Sequence, residues 1–320
     1  MSQKPHFLWT EIYRPKTISE CILPKALKET FQGIVNNGEI PNLLLTGTAG
    51  TGKTTVAKAL CNELDCDMLL INGSLGADES GIDAFRTRVS SFASTVSFSS
   101  GRKMVLIDEA DFLNANSVQP ALRALIEQFS RNCGFIFTCN FKNKILEPIH
   151  SRCSVIEFRV DKTDKQKIAG EFLKRVFTIL GTEKVEYEKQ VVAEVVMKYF
   201  PDFRRTLNEL QRFSQATGKI DIGILSRSSE SNLNMSLLIE ALKNSDYAKT
   251  REWVVSVLDN DAARIFRRIY DSLHEYMKPS AIPEIVVLIA KYQYNSAFCI
   301  DQEVNLLAFL IELMVLDAII

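Results

Sequence analysis

The 320-residue chain has no surplus of either charge: 38 lysines and arginines face 39 aspartates and glutamates, a formal net charge of −1. No global field draws it to nucleic acid, so any contact with DNA or RNA must come from local geometry. The seven cysteines include no Cys-x-x-Cys pair. An odd, scattered set of thiols argues against a structural zinc and fits a reducing, cytoplasmic setting. The N-terminus lacks the basic-then-apolar layout of a signal peptide. Long apolar runs are also scarce. The most apolar stretch, Leu306 to Ile320, is broken by Glu312 and Asp317. It is too short and too interrupted to span a bilayer, and no membrane partner is expected; it reads as a buried helix. What is present, 46% hydrophobic and 24% charged residues, is ordinary for a soluble globular protein. The length suggests roughly two or three domains.

One stretch organises the rest. Leu43 to Thr55 fits G-x-x-x-x-G-K-[ST], running through Gly47, Thr48, Ala49, Gly50, Thr51, Gly52, Lys53 and Thr54, with Thr55 following. Leu43 to Leu45 reads as a buried parallel strand, and Val56, Ala57, Ala59, Leu60 and Leu64 follow a helical period. Strand, glycine-rich turn and helix start are the context this motif requires. The glycines permit backbone angles that side chains forbid. The loop N–H groups can then converge on a triphosphate at the helix N-terminus. Lys53 would reach the β- and γ-phosphates, and the Thr54 hydroxyl would hold Mg²⁺. The alternative is a glycine-rich turn with no ligand, which the surrounding pattern disfavours.

A second apolar run, Met104 to Ile107, ends in Asp108-Glu109-Ala110-Asp111. A strand ending in two carboxylates, downstream of a phosphate loop, is what Mg-ATP hydrolysis requires. Asp108 would orient Mg²⁺ or its water shell, and Glu109 would orient and polarise the attacking water. Without the loop, the same residues would be read as acids capping a surface strand.

Other strands are expected at Met68 to Asn72, Phe135 to Asn140 and Ser154 to Phe158. On residues alone Asn140 has two readings: a contact for the γ-phosphate or the water, or a turn residue. Helices are expected over Ala26 to Val35, Asp83 to Val96 and Pro120 to Phe129, with Arg123 facing away from the core. Gly73 to Gly81, Ser97 to Gly101 and the polar segment between Pro15 and Pro24 read as irregular. From Asp164 the period changes. Ile168, Phe172, Leu173, Val176, Phe177 and Leu180 form one helical face. Val191, Val192, Val195, Val196 and Tyr199 form a second, and Phe203, Leu207, Leu210 and Phe213 a third. Three helices without a strand suggest a small separate bundle. Ser226 to Asn234 reads as a linker, and the remainder as an all-helical packing or assembly domain.

With its motifs in this order, the chain resembles the AAA+ ATPases of the sliding-clamp-loader group, in particular the large, ATP-hydrolysing subunits of T-even-type bacteriophages. The resemblance covers nearly the whole chain. It rests on Tyr-Arg-Pro (13 to 15), Cys-Ile-Leu-Pro (21 to 24), the phosphate loop into its helix (50 to 61), Asn-Gly-Ser (72 to 74), Ser-Arg-Cys (151 to 153) and Phe-Pro-Asp-Phe-Arg (200 to 204). It implies an α/β fold: an AAA+ P-loop domain with a parallel sheet over residues 1–160, a three-helix lid over 161–230, and an all-helical collar over 231–320.

The resemblance also implies roles. Asn140 is similar to the first sensor of the γ-phosphate, and Arg204 to the second sensor, through which the lid feels the nucleotide. Arg152 resembles an arginine finger reaching a neighbouring subunit's ATP; the bland reading is an arginine paired with a nearby carboxylate. Arg14 sits in the arm that covers the nucleotide in such proteins. ATP and Mg²⁺ are the implied cofactors. The implied partners are a sliding clamp, primer–template DNA, a small loader subunit, and copies of the chain in a pentameric spiral of four plus one. For a phage protein the compartment would be the host cytoplasm. One departure stands out: related loaders carry a basic residue just before Gly-Ile-Asp, where this chain has Ser80. No DNA role is carried onto Ser80, and the Gly81 to Arg86 helix start is the candidate DNA contact; Arg88 fits a solvated helix face equally well and is left out. Two other readings stay open: another AAA+ nucleic-acid motor, disfavoured by a tail without a winged-helix pattern, and a scaffold subunit that binds ATP without hydrolysing it, disfavoured by intact Glu109 and Arg152.

Overall fold

A computed structural model of the chain describes residues 7–74, 81–96, 101–224, 235–258, 262–316 and 318. The chain divides into two compact units, Met1–Ile222 and Gly223–Ile320.

The first unit is built on a five-stranded parallel sheet. Its strands are β1 (Leu43–Thr46), β2 (Met68–Asn72), β3 (Lys103–Asp108), β4 (Cys133–Cys139) and β5 (Ser154–Glu157), in the order β2-β3-β4-β1-β5. Leu43 pairs with Ile136 on one side and with Ser154 on the other, so β1 is an interior strand, and it is fully buried. Successive side chains leave a strand on opposite faces, and the sheet uses both. Leu44, Val105, Ile107, Phe135 and Phe137 enter one core cluster; Leu43, Leu45, Met104, Leu106 and Ile136 enter the other. Helices α2 (Lys25–Asn37) and α3 (Lys53–Glu63) cover the second face, while α4 (Gly81–Ser94) and α5 (Val118–Gln128) cover the first. The order matters for function. It sets the C-terminal ends of β3, β4 and β1 side by side, the edge at which open α/β sheets bind ligands.

An arm precedes this domain. It forms one short helix, α1 (Trp9–Ile12), and is irregular from Pro15 to Pro24. That irregular segment is less polar in effect than its sequence suggests, because Ile18, Cys21 and Leu23 are buried in the second core cluster. A short helix, α6 (Glu147–His150), leads into β5.

Three helices follow: α7 (Lys162–Thr182), α8 (Lys189–Tyr199) and α9 (Phe203–Thr217). The expectation of a bundle without strands needs correction. Glu186–Tyr187 (β6) and Lys219–Ile220 (β7) form a two-stranded parallel ladder beside the helices. Strands of two residues are too short to leave a period in the sequence. Asp202 caps α9 by accepting the Arg205 N–H at 2.9 Å, and Gly218, at φ 77°, ends it.

The regular elements described in the second unit are helices: α10 (Met235–Lys243), α11 (Tyr247–Val257), α12 (Ala262–Tyr276), α13 (Ile282–Ser296) and α14 (Gln302–Val315). It has a core of its own around Trp253, Phe266, Ile269, Ile285, Phe309 and Leu310, with Phe266 and Phe309 edge to face at 5.3 Å. The apolar stretch expected to be a buried helix is α14, which buries Leu306, Phe309, Leu310 and Leu313. Among the described residues no helix is long and apolar enough to cross a membrane. The expected linker, Ser226 to Asn234, residues 75–80 of the loop containing Ser80, and residues 97–100 lie outside the described residues.

Candidate nucleotide site

The phosphate loop joins β1 to α3 as its sequence requires. Gly50, at φ 76°, is held for two reasons. Its backbone is left-handed, and a Cβ there would lie 1.9 Å from the Asp202 carboxylate at the start of α9. The Gly50 carbonyl in turn accepts the Phe203 N–H at 3.2 Å, so the helical domain rests directly on the loop. Gly47 is similarly pressed, with the Phe158 carbonyl 2.7 Å from where a Cβ would be. Thr51 donates to the Thr48 carbonyl at 2.8 Å and tightens the turn.

Lys53 is buried at the first position of α3. Its Nζ donates to the carbonyls of Gly47 (2.7 Å) and Thr48 (2.8 Å) and to Asn140 Oδ1 (2.9 Å). Burial pulls its pKa below the usual lysine value, while the nearby Asp108 and Asp111 work in the opposite direction. Asn140 thus stands at the end of β4 against the phosphate-loop lysine, although its residue type alone fits a turn equally well.

Asp108 ends β3 beside the loop. Its Oδ1 accepts the hydroxyls of Thr54 at 2.6 Å and Thr138 at 2.5 Å. Thr138 also accepts the Glu109 N–H at 3.1 Å. Glu109 adopts φ 56°, ψ 45°, a left-handed conformation uncommon for a residue with a side chain. Strain of this kind often marks a functional position. Asp111 is buried two residues further on, and its Oδ2 accepts the N–H of Asn140 at 3.2 Å and of Phe141 at 3.3 Å. The two acidic and amide strand ends are therefore cross-braced.

These residues open onto a cavity of about 330 Å³, within the range of small-molecule sites. Residues 49–55, Asn72, Asp108, Glu109, Thr138 and Asn140 form its floor. Arg14 and Tyr13 from the arm close one side, and Phe172, Arg175, Phe203, Arg204 and Leu207 from the helical domain close another. The charged lining is Arg14, Lys53, Arg175 and Arg204 against Asp108 and Glu109, a surplus of cations suited to a polyphosphate. Arg14 Nε is buried without an acceptor among the described residues, although the guanidinium pairs with Glu11. The chemistry fits ATP with Mg²⁺. An adjoining hydroxyl and carboxylate, Thr54 and Asp108, offer hard oxygens to a cation that takes its other ligands from phosphate and water. Among the described residues no three His, Cys, Asp or Glu side chains converge to make a richer metal site.

Gly47 and Thr48 contribute carbonyls behind the cavity wall, and Thr55 lines it. Arg204, second in α9, lines it too, and its charge helps to depress the Lys53 ammonium. Arg152 stands elsewhere. It follows α6 and pairs with Glu127, Nε to Oε1 at 2.9 Å, while Nη1 donates to the Pro148 carbonyl at 2.7 Å. The Arg152 guanidinium holds the Glu127 carboxyl below the usual carboxylate range. Within one chain, then, Arg152 has the carboxylate partner that the bland reading named.

Sequence reasoning missed Thr138 and Arg175. A hydroxyl inside the apolar run Phe135 to Asn140 was the available sign of the first. For the second, Ile168, Phe172, Arg175 and Ile179 share one helical face, so an arginine interrupting an apolar stripe was the sign.

Residues 43–160 match the ATPase family associated with various cellular activities (AAA), and residues 164–226 match the sliding-clamp-loader large subunit, AAA+ ATPase lid domain. The sliding-clamp-loader large subunit of Escherichia phage RB69 is 41% identical over 254 residues, 78% of each chain. That of Enterobacteria phage T4 is 34% identical over 316 residues, 98% of this chain and 97% of the relative. The replication factor C small subunit of Sulfurisphaera tokodaii is 31% identical over 331 residues, with coverages of 98% and 97%. Among solved structures, the RuvB Holliday junction branch migration motor of Thermotoga maritima superposes with a TM-score of 0.52 at 19% identity, over 69% of this chain and 74% of that one. At that identity the likeness is one of fold. The sequence relatives reach further, and by them the chain belongs to the sliding-clamp-loader large subunits, AAA+ ATPases of DNA replication.

Proposed function

We propose that this chain uses ATP binding to open a sliding clamp and place it on primer–template DNA, and ATP hydrolysis to let go. One observation supports the reading most. The ammonium of Lys53, the carboxamide of Asn140, the hydroxyl of Thr54 and the carboxylate of Asp108 meet across three neighbouring strand ends, beneath a wall supplied by the lid. Lys53 now spends its donors on two neutral carbonyls and an amide. Phosphate oxygens are charged acceptors and compete well for them, which frees the Asn140 side chain to meet the γ-phosphate. Bound Mg²⁺, held by Thr54 and Asp108, would neutralise charge between the phosphates. Glu109 orients and polarises the water. Arg204 and Arg14 carry nucleotide occupancy to lid and arm.

Arg152 is the residue assigned to a neighbouring subunit's ATP. It would exchange Glu127 for a transferring phosphoryl group, and such fingers contribute roughly 10³ to 10⁵ in rate. The partners that follow are the clamp, primed DNA, a small loader subunit and copies of this chain, in a spiral of five with one different member, in the host cytoplasm. The start of α4, about Gly81 to Arg86, is the candidate DNA contact, since a near-neutral chain can track phosphates through helix N-termini.

The test is ATP turnover with and without clamp plus primed DNA. Turnover is expected to rise when both are present. Glu109→Gln should keep ATP affinity and stall the complex on clamp and DNA, because the amide keeps the shape but lacks the charge that activates water. Turnover indifferent to clamp and DNA would sink the loader reading. Unchanged turnover in Glu109→Gln would reduce Glu109 to a strand-end acid.

A further inference from the structure

We propose that Gln211 is a positioning residue that fastens the N-terminal arm to the lid, so that lid closure draws Arg14 and Pro15 over the bound nucleotide. Gln211 lies in α9 and is 4% exposed. Its Oε1 accepts the Trp9 N–H at 3.0 Å, and its Nε2 donates to the Phe7 carbonyl at 2.8 Å. One side-chain amide therefore satisfies both backbone groups flanking Leu8, as a neighbouring strand would. The Trp9 side chain is buried as well. Two further bonds join arm to lid: Tyr13 Oη donates to Glu183 Oε1 at 2.5 Å, and Arg175 Nη2 donates to the Glu20 carbonyl at 2.8 Å.

Beyond Pro15 the arm turns mainly to the core, with the Arg175–Glu20 bond as its remaining tie to the lid. The Ile18 N–H donates to Glu63 Oε2 at 2.8 Å, and Asn62 Nδ2 donates to the Lys16 carbonyl at 3.0 Å, both partners being in α3 of the core. Ile18 and Cys21 are buried against the sheet. The arm is thus a strap tied to the lid up to Tyr13 and chiefly to the core from Lys16, the Arg175 bond to the Glu20 carbonyl being the lid contact on that second part. Only Arg14 and Pro15 lie between, and both line the cavity. At about 3.8 Å per residue this span has little slack. A shift of lid against core is taken up there, at the point where the strap crosses the nucleotide, and at the single Arg175–Glu20 bond. Arg14 Nε, buried and without an acceptor among the described residues, is carried on that span.

The inference rests on ATP occupying this cavity, and the experiment separates the two claims. Dissociation of a fluorescent ATP analogue is measured by stopped flow on the full chain, alongside steady-state turnover. Gln211→Met keeps length and removes both hydrogen bonds. It should raise the dissociation rate and the KM for ATP about tenfold, with kcat at saturating ATP within twofold. Trp9→Ala, which loosens the same anchor, should raise the dissociation rate similarly. The double variant should do little more than either single change, because both act through one attachment. Gln211→Glu keeps the acceptor for Trp9 but loses the donor to Phe7, and it carries the test if the Met variant does not fold; its expected rise is about threefold. A lowered melting temperature with an unchanged dissociation rate would make Gln211 a packing residue and overturn the proposal. So would effects of Gln211→Met and Trp9→Ala that multiply. If Lys53→Ala binds the analogue as tightly as the parent, the site assignment itself fails, whereas loss of binding there with no effect at Gln211 sinks the strap alone.

Discussion

Replacing Thr138 by Val exchanges a hydroxyl for a methyl group and leaves the side chain's shape nearly unchanged. The position is 2% exposed, so no water replaces what is lost. Two bonds go. The first is the 2.5 Å donation to Asp108 Oδ1, a bond to a charged group, and the second is the acceptor for the Glu109 N–H at 3.1 Å. Bonds to charged groups are worth about 1.5 to 3 kcal/mol, and a neutral one about 0.5 to 1.5 kcal/mol. Glu109 also holds a left-handed backbone at φ 56°, which costs a non-glycine residue roughly 1 to 2 kcal/mol and needs its neighbours to sustain it. The expected result is a stability loss of about 2 to 4 kcal/mol. Turnover should also fall about ten- to a hundredfold, because Glu109 is no longer fixed beside Asp108. ATP affinity should change little, since Lys53 and the loop are untouched. The assay is ATP hydrolysis with clamp and primed DNA, well below the melting temperature, with affinity read separately by nucleotide titration. A variant that melts earlier yet hydrolyses within twofold of the parent would refute the claim that Thr138 braces the carboxylate proposed to activate water.

Lys53→Ala should weaken ATP binding at least about a hundredfold, for the loss of two charged bonds of about 1.5 to 3 kcal/mol each, and it should leave the fold intact by circular dichroism. Because burial lowers the Lys53 pKa, its ammonium is present below that lowered value and is lost as pH rises through it; affinity of the parent should therefore start to fall at a pH below the ordinary lysine value of 10.5, by titration across the alkaline range. Arg152→Ala and Lys53→Ala should each be inactive alone and partly active when mixed, because some interfaces then join an intact loop to an intact finger; co-assembly with zero turnover would dismiss a trans role. Removing residues from 235 onward should leave a monomer that binds ATP weakly, measured by light scattering and nucleotide titration, and a truncated protein that kept its oligomeric size would refute the collar as the assembly element.

The parts legible in the sequence were those with a local signature. The phosphate loop needs glycines at fixed offsets, so Gly47, Gly50, Gly52, Lys53 and Thr54 announced the turn between β1 and α3. Strands buried on both faces, such as Leu43 to Leu45 and Met104 to Ile107, are continuous apolar runs, and the second of them sets Asp108 and Glu109 at a strand end. What stayed hidden depends on neighbours distant in sequence. Thr138 matters because β4 lies beside β3, an adjacency that no window along the chain contains. Arg175 matters because α7 faces the loop across the cavity. The two-residue strands β6 and β7 have no period to read, and Gln211 looks like any polar residue on a helix until its two backbone partners, some two hundred positions away, are in view.

Arg152 shows why the bland and the functional readings of one residue need not compete. Its pairing with Glu127 lies at the surface, where the carboxylate is exposed and solvent and salt screen the attraction. A bond of that kind orients a guanidinium without committing it. A phosphoryl group reached across a subunit boundary is a stronger rival, because its oxygens carry more charge and accept two parallel N–H donors from the planar fork. On the proposed trans role, the pairing would keep the free chain's arginine ordered at the edge of the nucleotide domain, and a neighbour's ATP would then offer the better acceptor. On this argument Glu127→Ala should lower assembled turnover by loosening the finger's aim, an effect that removing a mere surface ion pair would not produce. Mixing Glu127→Ala with Lys53→Ala subunits assigns the defect. The lost rate should return when the intact Lys53 site faces a finger from a Lys53→Ala subunit, whose Glu127 is unchanged. Turnover equal to the parent's in Glu127→Ala assemblies would show that the neighbour's phosphate alone orders the arginine.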